Sequence, residues 1–237
     1  MKKRFFFLVL VFPLITIRLK SQYLHPEKID SYISYIDKNK LDVGEISIFQ
    51  NGKETYSRNF GKIDSKSLKR NCVFQVGSIT KLFTATLIFK LIEQNKLSLD
   101  TRLNNYFPDL SNSERITIQN LLEHSSGLNN YVKKDEKTIW LTEARNEEEI
   151  MSEIKQQRVL FLPNDSIFYS NSGYYLLGKI IEKEFNQSYG KILRENILEP
   201  INLSKTNSAT ENPKHVLDSY SFEKEKWTLQ KDFYFKN

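Results

Sequence analysis

The chain has 237 residues, 35 Lys and Arg against 29 Asp and Glu, and one cysteine. That length suffices for one substantial domain or two small interleaved ones, and a lone thiol, Cys72, excludes an internal disulfide. The formal charge of +6 is not a nucleic-acid signature: the leader residues Lys2, Lys3, Arg4, Arg18 and Lys20 have no acid among them, and without those five cations 30 bases face 29 acids, a net of +1.

Three basic residues open the chain and thirteen largely apolar ones follow, Phe5 to Ile17. This pattern predicts a signal peptide over 1–21, cleaved after Ser21, which directs the mature chain to the periplasm or the exterior. The apolar run is shorter than the roughly 20 residues that span a bilayer. Arg18 and Lys20 behind it nevertheless leave a second reading, an uncleaved leader anchored in the inner membrane. An exported chain without disulfides suits a bacterial envelope, and Cys72 is expected to pack inside.

Residues 26–40, PEKIDSYISYIDKNK, place Ile29, Ile33 and Ile36 at helical spacing and predict an amphipathic helix that covers a sheet. In the next stretch Ile46 and Ile48 alternate with polar residues, Asn51-Gly52 signals a two-residue turn, and Tyr56 and Phe60 resume the alternation. Two antiparallel strands before a long apolar helix make an α+β beginning.

That helix belongs to the stretch FQVGSITKLFTATLIFKLIEQNKLSL, Phe74 to Leu99, which carries Ser78 and Lys81 three residues apart. Helical residues at that spacing share a face, so a hydroxyl and an amine would stand together. The segment behind them, with Leu82, Phe83, Ala85, Leu87, Ile88, Phe89, Leu91 and Ile92, reads as a helix buried on most sides. Burial disfavours an ammonium, so Lys81 is expected to accept the Ser78 proton. Ser-x-x-Lys occurs four times, at Ser78, Ser152, Ser188 and Ser221, and only Ser78 has a glycine before it, expected to allow close backbone approach, and an apolar helix behind it. A helix-capping serine is the competing reading.

Beyond Asp100, RLNNYFPDL reads as turns, Thr117 as the cap of a short helix, IQNLLEH, and Gly127 as its stop. Residues 129–145 read as irregular, 146–158 as a solvated helix with its acids first and its bases last. A second long helix follows, with Tyr174, Leu177, Ile180, Ile181 and Phe185 on its apolar side. Just before it, Tyr169, Ser170 and Asn171 supply the chain's one Tyr-x-Asn. A buried tyrosine beside a helix cap would explain them. Joined to Ser78 and Lys81 they make a mechanism instead, because a phenol beside an ammonium ionises more easily and can take the serine proton while Asn171 holds a substrate amide.

In order and spacing, FQVGSITKLFTATLIFKLIEQNKLSLD, ITIQNLLEHSSGL and FYSNSGYYLLGKIIE resemble the serine beta-lactamase-related family of class C beta-lactamases, D-alanyl-D-alanine carboxypeptidases and related esterases. The likeness runs from the hairpin ending NFGKID to EPINLSKTNSA, about residues 44–210. It implies a beta-lactamase/transpeptidase-like α+β fold, an antiparallel sheet flanked by helices plus a mostly helical domain. It also implies Ser78 as the acylated nucleophile, Lys81 as its activator, Tyr169 as general base or proton relay and Asn171 as a substrate-orienting group. Tyr-Ser-Asn stands where related enzymes carry Ser-Asp-Asn.

His124, in LLEHSSGL, would by the resemblance be structural, on the rim of the site, and not part of a Ser/His/Asp triad. His25 and His215 have polar neighbours, and no His, Cys or carboxylate cluster has ligand spacing, so neither metal nor organic cofactor is expected. The expected partner is a small-molecule or cell-wall peptide substrate, with no nucleic acid.

Family members carry a further motif, Lys or His, any residue, then Gly, on a strand beside the site, and this chain has no glycine after Gly190. The C-terminal sheet strands are therefore expected to be missing. Residues 22–237 read as a partial domain: helix, hairpin and nucleophile helix over 22–99, a helical region over 100–210, and a polar tail over 211–237. Pairing with another chain would be one way to complete the sheet. Three functions follow from different weights on these observations: a serine hydrolase acting on an amide or ester, a catalytically silent remnant that binds cell-wall fragments, and a small esterase.

Overall fold

The computed structural model describes residues 24–61, 73–134, 137–138, 145–209, 216, 219–223 and 226–230. The leader 1–21, Cys72 and His215 lie outside them. The chain divides into two compact units, 1–68 and 69–237.

The first unit sets one helix against one hairpin. Helix α1, Pro26–Asn39, starts with a proline in its first turn, where no backbone donor is lost, and ends at Lys40 in the left-handed conformation. Strands β1, Gly44–Gln50, and β2, Lys53–Phe60, pair antiparallel, with Ile48 opposite Tyr56 and a bulge between Ile48 and Phe49. At the turn Asn51 and Gly52 have φ of 53° and 74°, the doubly left-handed geometry that suits the twist of a two-residue hairpin. Polar bonds fasten α1 to β2: Asp30 Oδ1 accepts from the Tyr56 hydroxyl at 2.7 Å and from Arg58 Nη1 at 2.6 Å. Asp37 Oδ1 accepts the backbone N–H of Gly61 at 2.6 Å. The expected helix over a hairpin is present.

In the second unit a 3₁₀ turn, Gly77–Ile79, leads into α2, Thr80–Glu93. After a second 3₁₀ turn at Leu103–Asn105 comes α3, Ile118–Leu122, capped as expected by Thr117, whose hydroxyl accepts the Asn120 N–H at 3.2 Å. The stretch expected to be irregular contains a minimal ladder, β3, Lys133–Lys134, with β4, Lys137–Thr138. Helix α4, Glu147–Gln156, begins at a capping box in which Asn146 Oδ1 accepts from Glu149 N at 2.9 Å. Helix α5, Asn171–Phe185, ends at a left-handed Asn186, and α6, Tyr189–Leu193, runs into a π turn, Arg194–Leu198. The expected polar tail contains an antiparallel pair, β5, Ser219–Glu223, with β6, Lys226–Gln230. Each ladder among the described residues has two strands.

One core joins these helices: Leu87, Ile88 and Leu91 of α2, Ile118 and Leu121 of α3, Ile150 and Ile154 of α4, and Leu176, Leu177, Ile180 and Ile181 of α5. Burying such side chains is worth about 1.5–3 kcal/mol each, and this fixes α2 beside α5, the two elements that carry the site. Thr84 Oγ1 and the Tyr189 hydroxyl, 2.8 Å apart, tie α6 to α2.

Two expectations need correction. Helix α2 is buried along one face only; Ile79 just before it (56 % exposed), Leu82 (70 %) and Phe89 (53 %) lie open, because apolar composition alone does not say which faces find a partner. Nor does Gly127 stop α3. The left-handed turn after that helix is made by His124, at φ 60°, while Gly127, at φ 76°, passes so close to Phe161 that a Cβ would lie 1.9 Å from its carbonyl oxygen.

Two glycine substitutions should act oppositely in urea denaturation. Gly127→Ala is expected to cost more than about 2 kcal/mol, because left-handed strain alone costs an alanine about 1–2 and the clash adds to it. Gly178→Ala, inside α5 with nothing nearer to its Cβ than Tyr189 at 3.9 Å, is expected to stabilise by about 0.5–1 kcal/mol. Loss of stability at Gly178 would contradict the packing between α5 and α6.

Candidate active site

The site begins with a glycine needed for its backbone angle. Gly77 has φ 50° and open space where a Cβ would stand, so the expected role in close approach is replaced by a left-handed turn into Ser78. Ser78 sits on the 3₁₀ turn and Lys81 one residue inside α2, so a short turn and the start of a helix together set their spacing. The amine still reaches the hydroxyl, Lys81 Nζ donating to Ser78 Oγ at 3.4 Å.

The opposite wall comes from the start of α5. Tyr169 sends its hydroxyl to within 2.7 Å of Ser78 Oγ, and either oxygen can be the donor. Asn171 accepts Lys81 Nζ on its Oδ1 at 2.7 Å. All four residues expected at the site, Ser78, Lys81, Tyr169 and Asn171, therefore form one hydrogen-bonded group across about ninety residues of sequence. Lys81 Nζ also lies 4.9 Å from the ring centre of Tyr169 and 5.5 Å from that of Tyr174. Asn171 is the first residue of α5, whose N-cap is Ser170, so Asn171 is not its cap.

The amide of Asn171 is oriented from behind by a residue that the sequence reading missed. Buried Asn130 accepts on its Oδ1 from Asn171 Nδ2 at 3.2 Å and from Asn171 N at 3.3 Å, which turns the Asn171 oxygen toward Lys81. The carbonyl of Asn129 accepts from Ser170 Oγ at 2.9 Å and Ser172 Oγ at 2.6 Å, and Ser172 Oγ accepts from Tyr131 N at 3.0 Å. With both ends of its amide engaged, Asn171 holds Lys81 in place. The one advance sign was the polar pair Asn129-Asn130 between apolar Leu128 and Tyr131.

His124 stands beside this group. Its Nδ1 accepts the Ser170 N–H at 3.3 Å, and its ring lies close to those of Tyr169 and Tyr174. Burial first, then the charge of Lys81, push its pKa below the ordinary histidine value. For Tyr169 burial acts upward, but the bond to Lys81, the bond to Ser78 and the Lys81 charge together outweigh it and hold the phenol below the ordinary tyrosine value. Tyr174 goes the other way, raised by burial and by the charge on Tyr169. Among the described residues no group of three or more His, Cys, Asp or Glu side chains is placed to hold a metal ion.

A helical core that sets serine, lysine and tyrosine in mutual contact makes a class of site in which a hydroxyl is readied for nucleophilic attack. The chain belongs to the beta-lactamase family, whose model matches residues 35–232. It is 27% identical over 201 residues to a teichoic acid D-alanine hydrolase of Staphylococcus aureus, an alignment that covers 83% of this chain and 48% of that protein. Among solved structures, the octameric penicillin-binding protein homologue from Pyrococcus abyssi matches with a TM-score of 0.72 at 29% identity, over 89% of this chain and 51% of that one. FmtA from Staphylococcus aureus matches with a TM-score of 0.73 at 25% identity, over 88% and 58%. The fold is thus beta-lactamase/transpeptidase-like, as the motifs implied, and the chain spans about half the length of the curated relatives it matches.

Subtracting the alkaline absorbance titration of Tyr169→Phe from that of the unmodified protein, with Tyr174→Phe as the background in both, reports the Tyr169 phenol. Its midpoint is expected below 10, and Lys81→Met is expected to move it upward, since burial then acts with less opposition. A midpoint indifferent to Lys81 would show that the two groups are not coupled.

Proposed function

We propose that the protein is a serine hydrolase of the bacterial envelope that acts on an amide or ester by way of an acyl-enzyme on Ser78. The observation that carries this reading is the 2.7 Å contact between Ser78 Oγ and the Tyr169 hydroxyl, with Lys81 Nζ beside both. In the first half-reaction Tyr169, ionised, takes the Ser78 proton as Oγ adds to the substrate carbonyl. The tetrahedral adduct then expels an amine or alcohol, which leaves with that proton. In the second half a water gives its proton to Tyr169 and adds to the acyl carbon, and Ser78 leaves as the hydroxyl, freeing a carboxylic acid. Lys81 favours the ionised phenol throughout, and Asn171 keeps Lys81 in place while offering its amide edge to a substrate amide. Preorganised groups of this kind lower the barrier without rearranging during the reaction.

The name of the staphylococcal relative supports a D-alanyl ester as substrate, and the family supports D-alanyl peptides and beta-lactams. The basic-then-apolar leader supports export to the periplasm or exterior, with an uncleaved, membrane-anchored leader as the other form. Among the described residues no helix is long and apolar enough to cross a membrane.

A second reading is a domain that binds such compounds without turnover: within residues 191–237 no glycine follows Gly190, so no Lys/His-x-Gly motif lies in that stretch.

Both readings meet one test, incubation with a fluorophosphonate and with a fluorescent penicillin followed by intact mass measurement. The hydrolase is expected to gain one covalent adduct, absent in Ser78→Ala and formed about 10²–10⁴-fold more slowly in Tyr169→Phe. The adduct rate should rise with pH toward a plateau beyond the Tyr169 pKa, because the phenolate is the active form. Binding without any adduct would support the silent domain, and an adduct surviving in Ser78→Ala would defeat the assignment of Ser78.

A further inference from the structure

We propose that His124 is a positioning residue that clamps Tyr169, through the backbone N–H groups of the residues before and after the tyrosine and through its ring. The inference rests on the reading of Tyr169 as the proton relay and supplies what aims it. The Phe168 N–H donates to the His124 carbonyl oxygen at 2.9 Å, and the Ser170 N–H donates to His124 Nδ1 at 3.3 Å. The residue before Tyr169 and the residue after it are thus held by main chain and side chain of one histidine. Between these bonds the imidazole lies 4.7 Å from the Tyr169 ring, centre to centre, tilted by 42°.

A half-exposed tyrosine on a loop needs such a fixture. Tyr169 is 48 % exposed, so packing alone leaves its ring free to leave Ser78. Holding the N–H groups of both neighbouring residues restrains the direction in which its side chain departs, and the imidazole stands beside the ring that has to stay on Ser78.

The clamp itself is anchored. His124 follows α3, whose Asn120 donates from Nδ2 to Ser125 Oγ at 3.0 Å and to Asn164 Oδ1 at 2.6 Å. Tyr174 lies 5.2 Å from the imidazole, centre to centre, and donates its hydroxyl to the Leu122 carbonyl at 3.1 Å. The left-handed backbone of His124, φ 60°, lets its carbonyl and its ring reach the same three residues.

The bond to Ser170 also fixes the chemistry of the ring. An acceptor Nδ1 must keep its lone pair, so the proton resides on Nε2 and the imidazole is neutral. Lys81 is the cation facing it, and the phenols of Tyr169 and Tyr174 are its other titratable neighbours. A proton on Nδ1 would remove the acceptor and bring a second positive charge toward Lys81.

The test compares His124→Asn with His124→Gly, since both residues accept a left-handed backbone and only asparagine returns an acceptor near the place of Nδ1. In His124→Gly the Tyr169 ionisation midpoint is expected to rise toward the ordinary tyrosine value, and Ser78 labelling by a fluorophosphonate to slow by about 10–100-fold, the scale of a small misplacement of a reacting group. His124→Asn is expected to recover most of both. Equal behaviour of the two variants, whether both impaired or both like the unmodified protein, would overturn the clamp. Nitrogen NMR of the unmodified protein supplies a check independent of folding in the variants: His124 is expected as the Nε2–H tautomer, and a protonated Nδ1 at neutral pH would overturn the proposal. If the unmodified protein takes no label at all, the hydrolase reading fails, while the Tyr169 midpoints and the tautomer still decide the clamp.

Discussion

The bond from Lys81 Nζ to Asn171 Oδ1, at 2.7 Å, is the constraint on which the rest of the site depends. It joins α2, which follows the turn carrying Ser78, to the helix that follows the tyrosine, and it stations one amine beside two hydroxyls. Without it the amine of a flexible side chain would turn to water, and only the bond to Ser78 would oppose the burial that makes the Tyr169 phenol harder to ionise. Charge-assisted bonds of this kind are roughly twice as strong as neutral ones, which suits the task of holding a long side chain in one place.

That bond is sustained by a polar layer set between the site and the core. Asn130 orients the amide of Asn171, Asn129 receives Ser170 and Ser172, and His124 receives the N–H groups of the residues on either side of Tyr169. Asn130, Ser170 and Ser172 are buried, and leaving one of them unpaired would cost about 1–3 kcal/mol, which disfavours rearrangement of the network. Beneath them, the aliphatic contacts between α2, α3 and α5 set the spacing of the two walls.

What could be read in advance was local. Asn51-Gly52 forecasts its hairpin, Thr117 its cap, and the apolar periodicity of 171–185 its helix, because each of these rests on neighbours in sequence. The catalytic candidates were legible for a different reason: Ser-x-x-Lys and Tyr-x-Asn are short patterns whose order along the chain resembles a known family. Asn130 was not legible as a support, and His124 only as structural by the resemblance and not as to what it holds, since their bonds span 41 and 46 residues and depend on where two loops meet. The same limit explains the misread faces of α2. A run of apolar residues announces burial, but the partner that covers each face is chosen by tertiary packing, and Leu82 and Phe89 have none among the described residues.

The central claim is geometric: one serine, one lysine and one tyrosine share a single hydrogen-bonded contact before any substrate arrives. A crystallographic determination of the substrate-free protein tests it most directly. The Tyr169 hydroxyl should lie within hydrogen-bonding distance of Ser78 Oγ, with Lys81 Nζ seated on the Asn171 oxygen. A phenol turned to solvent, or a lysine pointing away from Asn171, would contradict it.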